Sequence, residues 1–200
     1  MPSGLRRYHQ SGHSHFVTFS CYRRQPKFSS GEIYDLFPEC LERMRRRFEM
    51  CVYGYVVMPE HVHLLLSEPE KGSLADAIHY LKLSFSKGVK SLFQLSVQMK
   101  DANPSASSGQ ALGHSEPFWQ KRYYDRNVRN WQEFTVKLRY LHRNPVKRGL
   151  VKEAARWQWS SFRHYAFREV GVVEIESEWT ARDREAKALG STPRVFLCPR

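Results

Sequence analysis

Two hundred residues and 23.6 kDa fit one domain with tails. With 41% hydrophobic and 14% aromatic residues the chain can fill a core, which excludes wholesale disorder, and no apolar run approaches the roughly 20 residues of a membrane-spanning helix. The net charge of +12 and a pI near 9.7 point first to nucleic-acid phosphates, while four cysteines (Cys21, Cys40, Cys51, Cys198) without C-x-x-C spacing, and a start (MPSGLRRYHQSGH) without a signal-peptide apolar stretch, suggest a reduced, cytoplasmic protein.

Residues 1–31 hold no acid and carry Arg6, Arg7, Arg23, Arg24 and Lys27. Within them His15–Tyr22 (HFVTFSCY) alternates and is rich in aromatic and β-branched types, which predicts a strand. Ile33, Leu36, Phe37, Cys40, Leu41, Met44 and Phe48 fall at helical spacing; Pro38 inside this run predicts a start near Asp35 or a kink. Cys51–Met58 and His61–Ser67, separated by Pro59-Glu60, read as an antiparallel hairpin. Leu74, Ala77, Ile78, Leu81, Phe85, Val89 and Leu92 mark a second helix, and Asp101–Ser115 (DANPSASSGQALGHS) reads as a flexible surface insertion. Pro117–Val128 supplies another strand. Asn130-Trp131-Gln132-Glu133 resembles a capping box opening a third helix, which should end by Asn144 because Pro145 follows. The order β-α-β-β-α-β-α predicts a single α+β domain, a four-stranded antiparallel sheet with helices on one face, and a tail beyond about Trp157 that packs on it or hangs free.

The segment from Pro117 to Lys152 is net +8 in 36 residues, interleaved with Phe118, Trp119, Tyr123, Tyr124, Trp131 and Tyr140. Cations beside aromatics suit single strands, whose phosphates need charge and whose unstacked bases need flat partners. His61-Val62-His63 is the sharpest local signal: on a strand the two imidazoles share one face and can serve one metal, while Val62, Leu64 and Leu66 point into the core. In the third helix Trp131, Phe134, Leu138 and Leu141 lie at about 0°, 300°, 340° and 280°, one apolar stripe, whereas Tyr140 at about 180° and Asn144 at about 220° lie off it, one turn apart. Such a tyrosine is an ordinary exposed residue, a base-stacking platform or a reactive group. Combined with the histidines, it suggests phosphodiester chemistry, in which a divalent cation held by His61, His63 and the Asn144 carbonyl grips a phosphate oxygen while Tyr140 attacks. A free phenol titrates near 10 and needs help losing its proton, from the cation or a base such as Lys137. A zinc site from His9, His13 and His15 lacks a completing ligand; those histidines are expected at the start of the first strand, near the nucleic acid.

In order along residues 5–165, the segments RRYHQSGHSHFVTFSCYRR, VVMPEHVHLLL, FWQKRYYDRNV, YLHRNPVKRGLV and WQWSSFRHY form a specific set. The chain resembles the REP-associated tyrosine transposases, bacterial relatives of the insertion-sequence-200-like single-tyrosine transposases of the HUH superfamily. The resemblance implies a ferredoxin-like (RRM-like) fold over residues 5–165, with the insertion at 101–115 and the tail at 166–200 foreign to the pattern. It implies a monomer or homodimer, with no membrane partner, acting on single-stranded DNA that carries imperfect-palindrome hairpins beside a tetranucleotide, with Mg²⁺ or Mn²⁺ as cofactor. By motif position His61 and His63 are the metal pair and Asn144 completes the site. Tyr140 is the nucleophile that joins a DNA 5′-phosphate and releases a 3′-hydroxyl. DNA contacts are expected from Arg6, Arg7, Arg122 and Arg126, and further from Arg23, Arg24, Lys121, Arg129, Lys137, Arg143, Lys147 and Arg148. The alternatives are a non-catalytic RRM-like binding module and a replication initiator using the same chemistry.

Overall fold

Alternating side chains give the sheet two unlike faces, and each face recruits its own helices. The computed structural model describes residues 14–101 and 116–188. Strands β1 (Ser14–Ser20), β2 (Val52–Val57), β3 (His61–Leu66) and β4 (Tyr124–Val128) form one sheet in the order β2-β3-β1-β4, every neighbouring pair antiparallel. Val17 and Phe19 of β1 turn to the same face as Val62, Leu64 and Leu66 of β3. There α1 (Gly31–Phe48) and α2 (Leu74–Asp101) bury Phe37, Leu41, Leu81 and Phe85 against them, the Phe19 and Phe37 rings lying 6.3 Å apart and Phe37 and Phe85 5.5 Å apart. Helix α1 starts at Gly31 and runs through the buried Pro38, so the later start near Asp35 is not used. Helix α2 opens on a capping box, Ser73 Oγ accepting from the Asp76 N–H and the Asp76 carboxylate accepting from the Ser73 N–H.

The opposite face takes α3 (Trp131–Lys147), which packs over β2 and β3. Gly54 of β2 makes the close approach possible: a Cβ there would stand 2.8 Å from Leu138 Cδ1 and 3.2 Å from Ser161 Oγ. Gly54→Val should therefore lift α3 off the sheet at a cost of about 1–3 kcal/mol, read as a lower melting temperature and faster amide exchange along α3. An unchanged α3 exchange pattern would show that the helix is seated elsewhere.

The expected stop at Asn144 is corrected: α3 continues through Pro145 to Lys147. In the last turn proline forfeits only the N–H that would have bonded the Leu141 carbonyl, and the end is closed in another way. Gly149 adopts φ +69°, its N–H bonding the Val146 carbonyl while the Leu150 N–H bonds the Pro145 carbonyl, each at 3.0 Å. The β4 strand is shorter than Pro117–Val128: before Tyr124 only the buried Trp119 pairs, as an isolated bridge with Cys21, and Lys121 and Arg122 are exposed.

The described part of the tail packs on the domain. Helices α4 (Phe162–Phe167) and α5 (Glu178–Ala188) flank a segment in which Val173 and Ile175 are buried and Ile175 runs parallel beside Val52. The Glu42 carboxylate of α1 holds this segment by accepting from the Glu174 N–H at 3.1 Å. No described helix is long and apolar enough to cross a membrane. Of the insertion at 101–115, all but Asp101 lies outside the described residues.

Candidate active site

On the face that receives α3, cross-strand pairing sets Thr18 opposite His63 and Ser20 opposite His61. The two imidazoles point the same way, as alternation requires, and their Nε2 atoms stand 3.0 Å apart. The outer nitrogens are both engaged. His61 Nδ1–H donates to the Glu60 carboxylate at 3.1 Å, and His63 Nδ1 hydrogen-bonds the Thr18 hydroxyl at 2.7 Å. Such outer partners hold a ring in orientation and leave Nε2 for a cation. Two nitrogens bound side by side in an octahedron, each about 2.1 Å from the metal, stand roughly 3.0 Å apart, so the spacing fits a divalent cation. Burial, with the charges of His61 and Lys137, pushes His63 down to about 3, and burial lowers His61 as well. Both rings are therefore neutral near pH 7, the form that binds metal. Among the described residues no three His, Cys, Asp or Glu side chains gather into a metal-binding group, so further donors would be neutral amides, water or a ligand's own oxygens.

Helix α3 brings Tyr140 to this pair. Its ring meets His63 edge-on at 5.3 Å between centroids and Phe16 at 6.0 Å, while Phe16 stacks on His63 at 5.4 Å. Tyr140 is 41% exposed, as expected of a residue off the apolar stripe. Asn144, one turn later, departs from expectation: it is only 6% exposed, with its neighbours His142 and Pro145 also buried. The departure is confined to Asn144, since His142 at about 20° and Pro145 at about 320° continue the stripe, His142 also bonding Ser161 Oγ at 2.9 Å. The converse correction falls on Trp131, assigned to the stripe but 66% exposed.

Cations surround the pair. Lys137 Nζ lies 4.9 Å from the centre of the Phe16 ring, and Lys147 Nζ lies 5.6 Å from that of Tyr140. Arg148, just past the end of α3, donates to Glu60 Oε1 at 2.6 Å, the same oxygen that His61 engages. Arg24 is near enough to disfavour protonation of His61, and burial followed by the charge of Arg126 lowers Lys137.

The remaining expected contacts scatter. Arg126 shares the site face opposite Phe16 but pairs with Glu133 at 2.7 Å. Arg23 pairs with Glu116 at 3.5 Å, Lys121 lines a separate groove against α2, Arg122 and Arg143 are exposed, and Arg129 sits at the opposite end of α3. Arg6, Arg7, His9 and His13 lie outside the described residues. His15 does not border the site: it is wholly buried on the core-side face, bonded to Asp125 at 2.9 Å and Glu68 at 3.3 Å, because strand alternation turns it away from Phe16 and Thr18.

Phe16, Thr18 and Glu60 are the site residues that the sequence pattern did not single out. Glu60 could have been found by its adjacency to His61; Thr18 required the register of β1 on β3.

A family model described as "Transposase IS200 like" matches residues 8–144. Over 178 residues the chain is 25% identical to a Haemophilus influenzae protein provisionally named a REP-associated tyrosine transposase, spanning 88% of this chain and 93% of that one. It is 24% identical over 181 residues to the REP-associated tyrosine transposase of Escherichia coli K12, spanning 89% and 93%. Among solved structures, a REP-associated tyrosine transposase bound to a REP hairpin matches with a TM-score of 0.63 at 21% identity over 88% of this chain and 92% of that one, a likeness of fold.

Proposed function

The chain belongs to the IS200-like transposase family, and we propose that it breaks and rejoins single-stranded DNA beside hairpin repeats through a bond between Tyr140 and a 5′-phosphate. The observation that carries this reading is the packing of the Tyr140 ring against His63, 5.3 Å away, where the His61 and His63 Nε2 atoms converge to 3.0 Å. The hairpin comes from the relatives, which are named for REP elements.

In the forward step the Tyr140 oxygen attacks phosphorus, an O–P bond forms, and the bond from phosphorus to the 3′ oxygen breaks. That oxygen leaves as a 3′-hydroxyl after taking a proton. Attack by a 3′-hydroxyl on the phosphotyrosine reverses the sequence and rejoins DNA without outside energy, because one phosphodiester replaces another. The phenol proton passes to solvent, and the Lys137 ammonium, 4.9 Å over the Phe16 ring that Tyr140 also touches, supplies positive charge for the attacked phosphate. Lys147 Nζ, 5.6 Å over the Tyr140 ring, adds a second positive charge beside the attacking residue for the incoming phosphate. His61, His63 and the Asn144 amide would hold Mg²⁺ or Mn²⁺, which when bound supplies Lewis-acid polarisation of a phosphate oxygen. Thr18 and Glu60 orient the two rings for that task.

Arg24 and Arg148 border the histidines. With Arg6, Arg7, Arg23, Lys121, Arg122, Arg126, Arg129 and Arg143 they supply the charge that tracks the DNA backbone. His63 and Tyr140 come from one chain, so one copy carries both groups. The free thiols of Cys21, Cys40 and Cys51 suit the reducing cytoplasm.

The test is to incubate the protein with single-stranded oligonucleotides carrying the repeats that flank its gene, plus Mn²⁺. The expected result is a protein–DNA band that survives denaturation, with a free 3′-hydroxyl on the released fragment, and no such band in EDTA. Tight binding indifferent to metal and without an adduct would instead identify a binding module.

A further inference from the structure

Trp131 opens α3 at the end opposite Arg148, and the cleavage chemistry makes no use of it. Its ring lies flat on Phe134, 5.3 Å between centroids and 9° between planes, and Phe134 in turn meets Tyr53 edge-on at 5.2 Å. A flat aromatic surface, braced from behind and mostly open in front, results. It borders a groove of about 790 Å³ between the first turns of α3 and the α5 segment, lined also by Tyr165, Arg129, Arg168 and Arg182. The acids of this groove are already engaged: Glu176 pairs with Arg184 at 2.6 Å and Glu178 with Arg182 at 3.7 Å. Arg129 and Arg168 have no ion pair among the described residues.

A single exposed tryptophan needs no explanation. A braced platform beside a groove with two uncommitted guanidinium groups is a different matter. It fits a ligand with a flat ring and a phosphate, which is a nucleotide. In a duplex the bases cover each other's faces, so only an unpaired base offers one to Trp131. Tyr140 lies nine positions after Trp131, about 14 Å along the axis, and the two project from opposite sides of the helix. The groove is thus separate from the cleavage centre.

We infer that this groove binds an unpaired nucleotide of the single-stranded segment beside the hairpin, its base stacked on Trp131 and its phosphate set against Arg129 and Arg168. This rests on the reading of single-stranded DNA as the substrate.

The test compares fluorescence anisotropy of full-length wild-type protein and Trp131→Ala on two labelled oligonucleotides, one hairpin with a ten-nucleotide single-stranded extension and one blunt. Stacking of one base is worth about 1–3 kcal/mol, a factor of roughly 5 to 150. Trp131→Ala should weaken binding of the extended hairpin at least fivefold and leave the blunt one unchanged, Trp131→Phe should restore most of the loss, and melting should match wild type. Equal affinity of Trp131→Ala and wild type for the extended hairpin overturns the inference, and so does an equal loss on both DNAs. Covalent attachment is scored on the same extended hairpin. An adduct without a Trp131 effect rejects this groove alone, whereas failure of wild type to form any adduct rejects the cleavage reading and leaves the binding contrast to decide Trp131.

Discussion

Tyr140→Phe protein should bind hairpin DNA as wild type does and form no denaturation-resistant adduct, its cleavage falling by at least about 10³-fold. The substitution removes one oxygen and keeps the ring. The edge-on contacts with His63 and Phe16, and the Lys147 ammonium over the ring, depend on the ring and survive. With the side chain 41% exposed, stability should shift by no more than about 0.5 kcal/mol, as is usual for surface positions. A denaturing gel with labelled DNA, beside a thermal melt, reads both outcomes. Cleavage by the phenylalanine protein at an appreciable fraction of the wild-type rate would move the nucleophile elsewhere.

The second large effect concerns the histidine pair. His61→Ala/His63→Ala should weaken Mn²⁺ binding, measured by calorimetry, by at least about 100-fold, since loss of an outer partner alone costs 10–100-fold. Thr18→Val removes only the bond to His63 Nδ1 and should cost about tenfold, recovered by excess Mn²⁺. Acid adds an independent handle. In the unfolded chain His63 takes up a proton near pH 6.5, whereas in the fold it does so only at about 3. The folded state therefore holds its full share of stability above pH 6.5 and loses it progressively as pH falls toward 3. Within that window the folded His63 stays neutral, and burial lowers His61 as well, so Mn²⁺ should be lost at a lower pH than from an exposed imidazole pair. A binding curve that collapses with a midpoint near 6.5 would contradict the buried placement of the ring.

Much of this arrangement is legible in the amino-acid order because it rests on two periodicities. Alternation in HVHLLL puts His61 and His63 on one face and Val62, Leu64 and Leu66 on the other, and no tertiary contact is needed to see it. The 3.6-residue period separates Tyr140 from Leu138 and Leu141 in the same way. Reading failed where burial depends on what comes from far along the chain. The single apolar stripe missed the burial of Asn144, and it buried Trp131 where the fold supplies no cover. His15 looked like a neighbour of the DNA because its partners, Asp125 and Glu68, are 110 and 53 positions away. The tail gave no sign that Val173 and Ile175 would join the core, being flanked by charge on both sides.

The seat of α3 on the bare backbone of Gly54 bears on motion. The strand offers no side chain at that spot, so the space between rod and strand is filled by Leu138 and Leu141 of the helix and by Ser161. Raising the rod uncovers Leu138 and Leu141 in one stroke, so intermediate heights gain nothing and lose the packing of both. The phenol ring can part from His63 by a change of its own χ angles or by departure of the whole rod; the second route is all-or-none, a click rather than a drift.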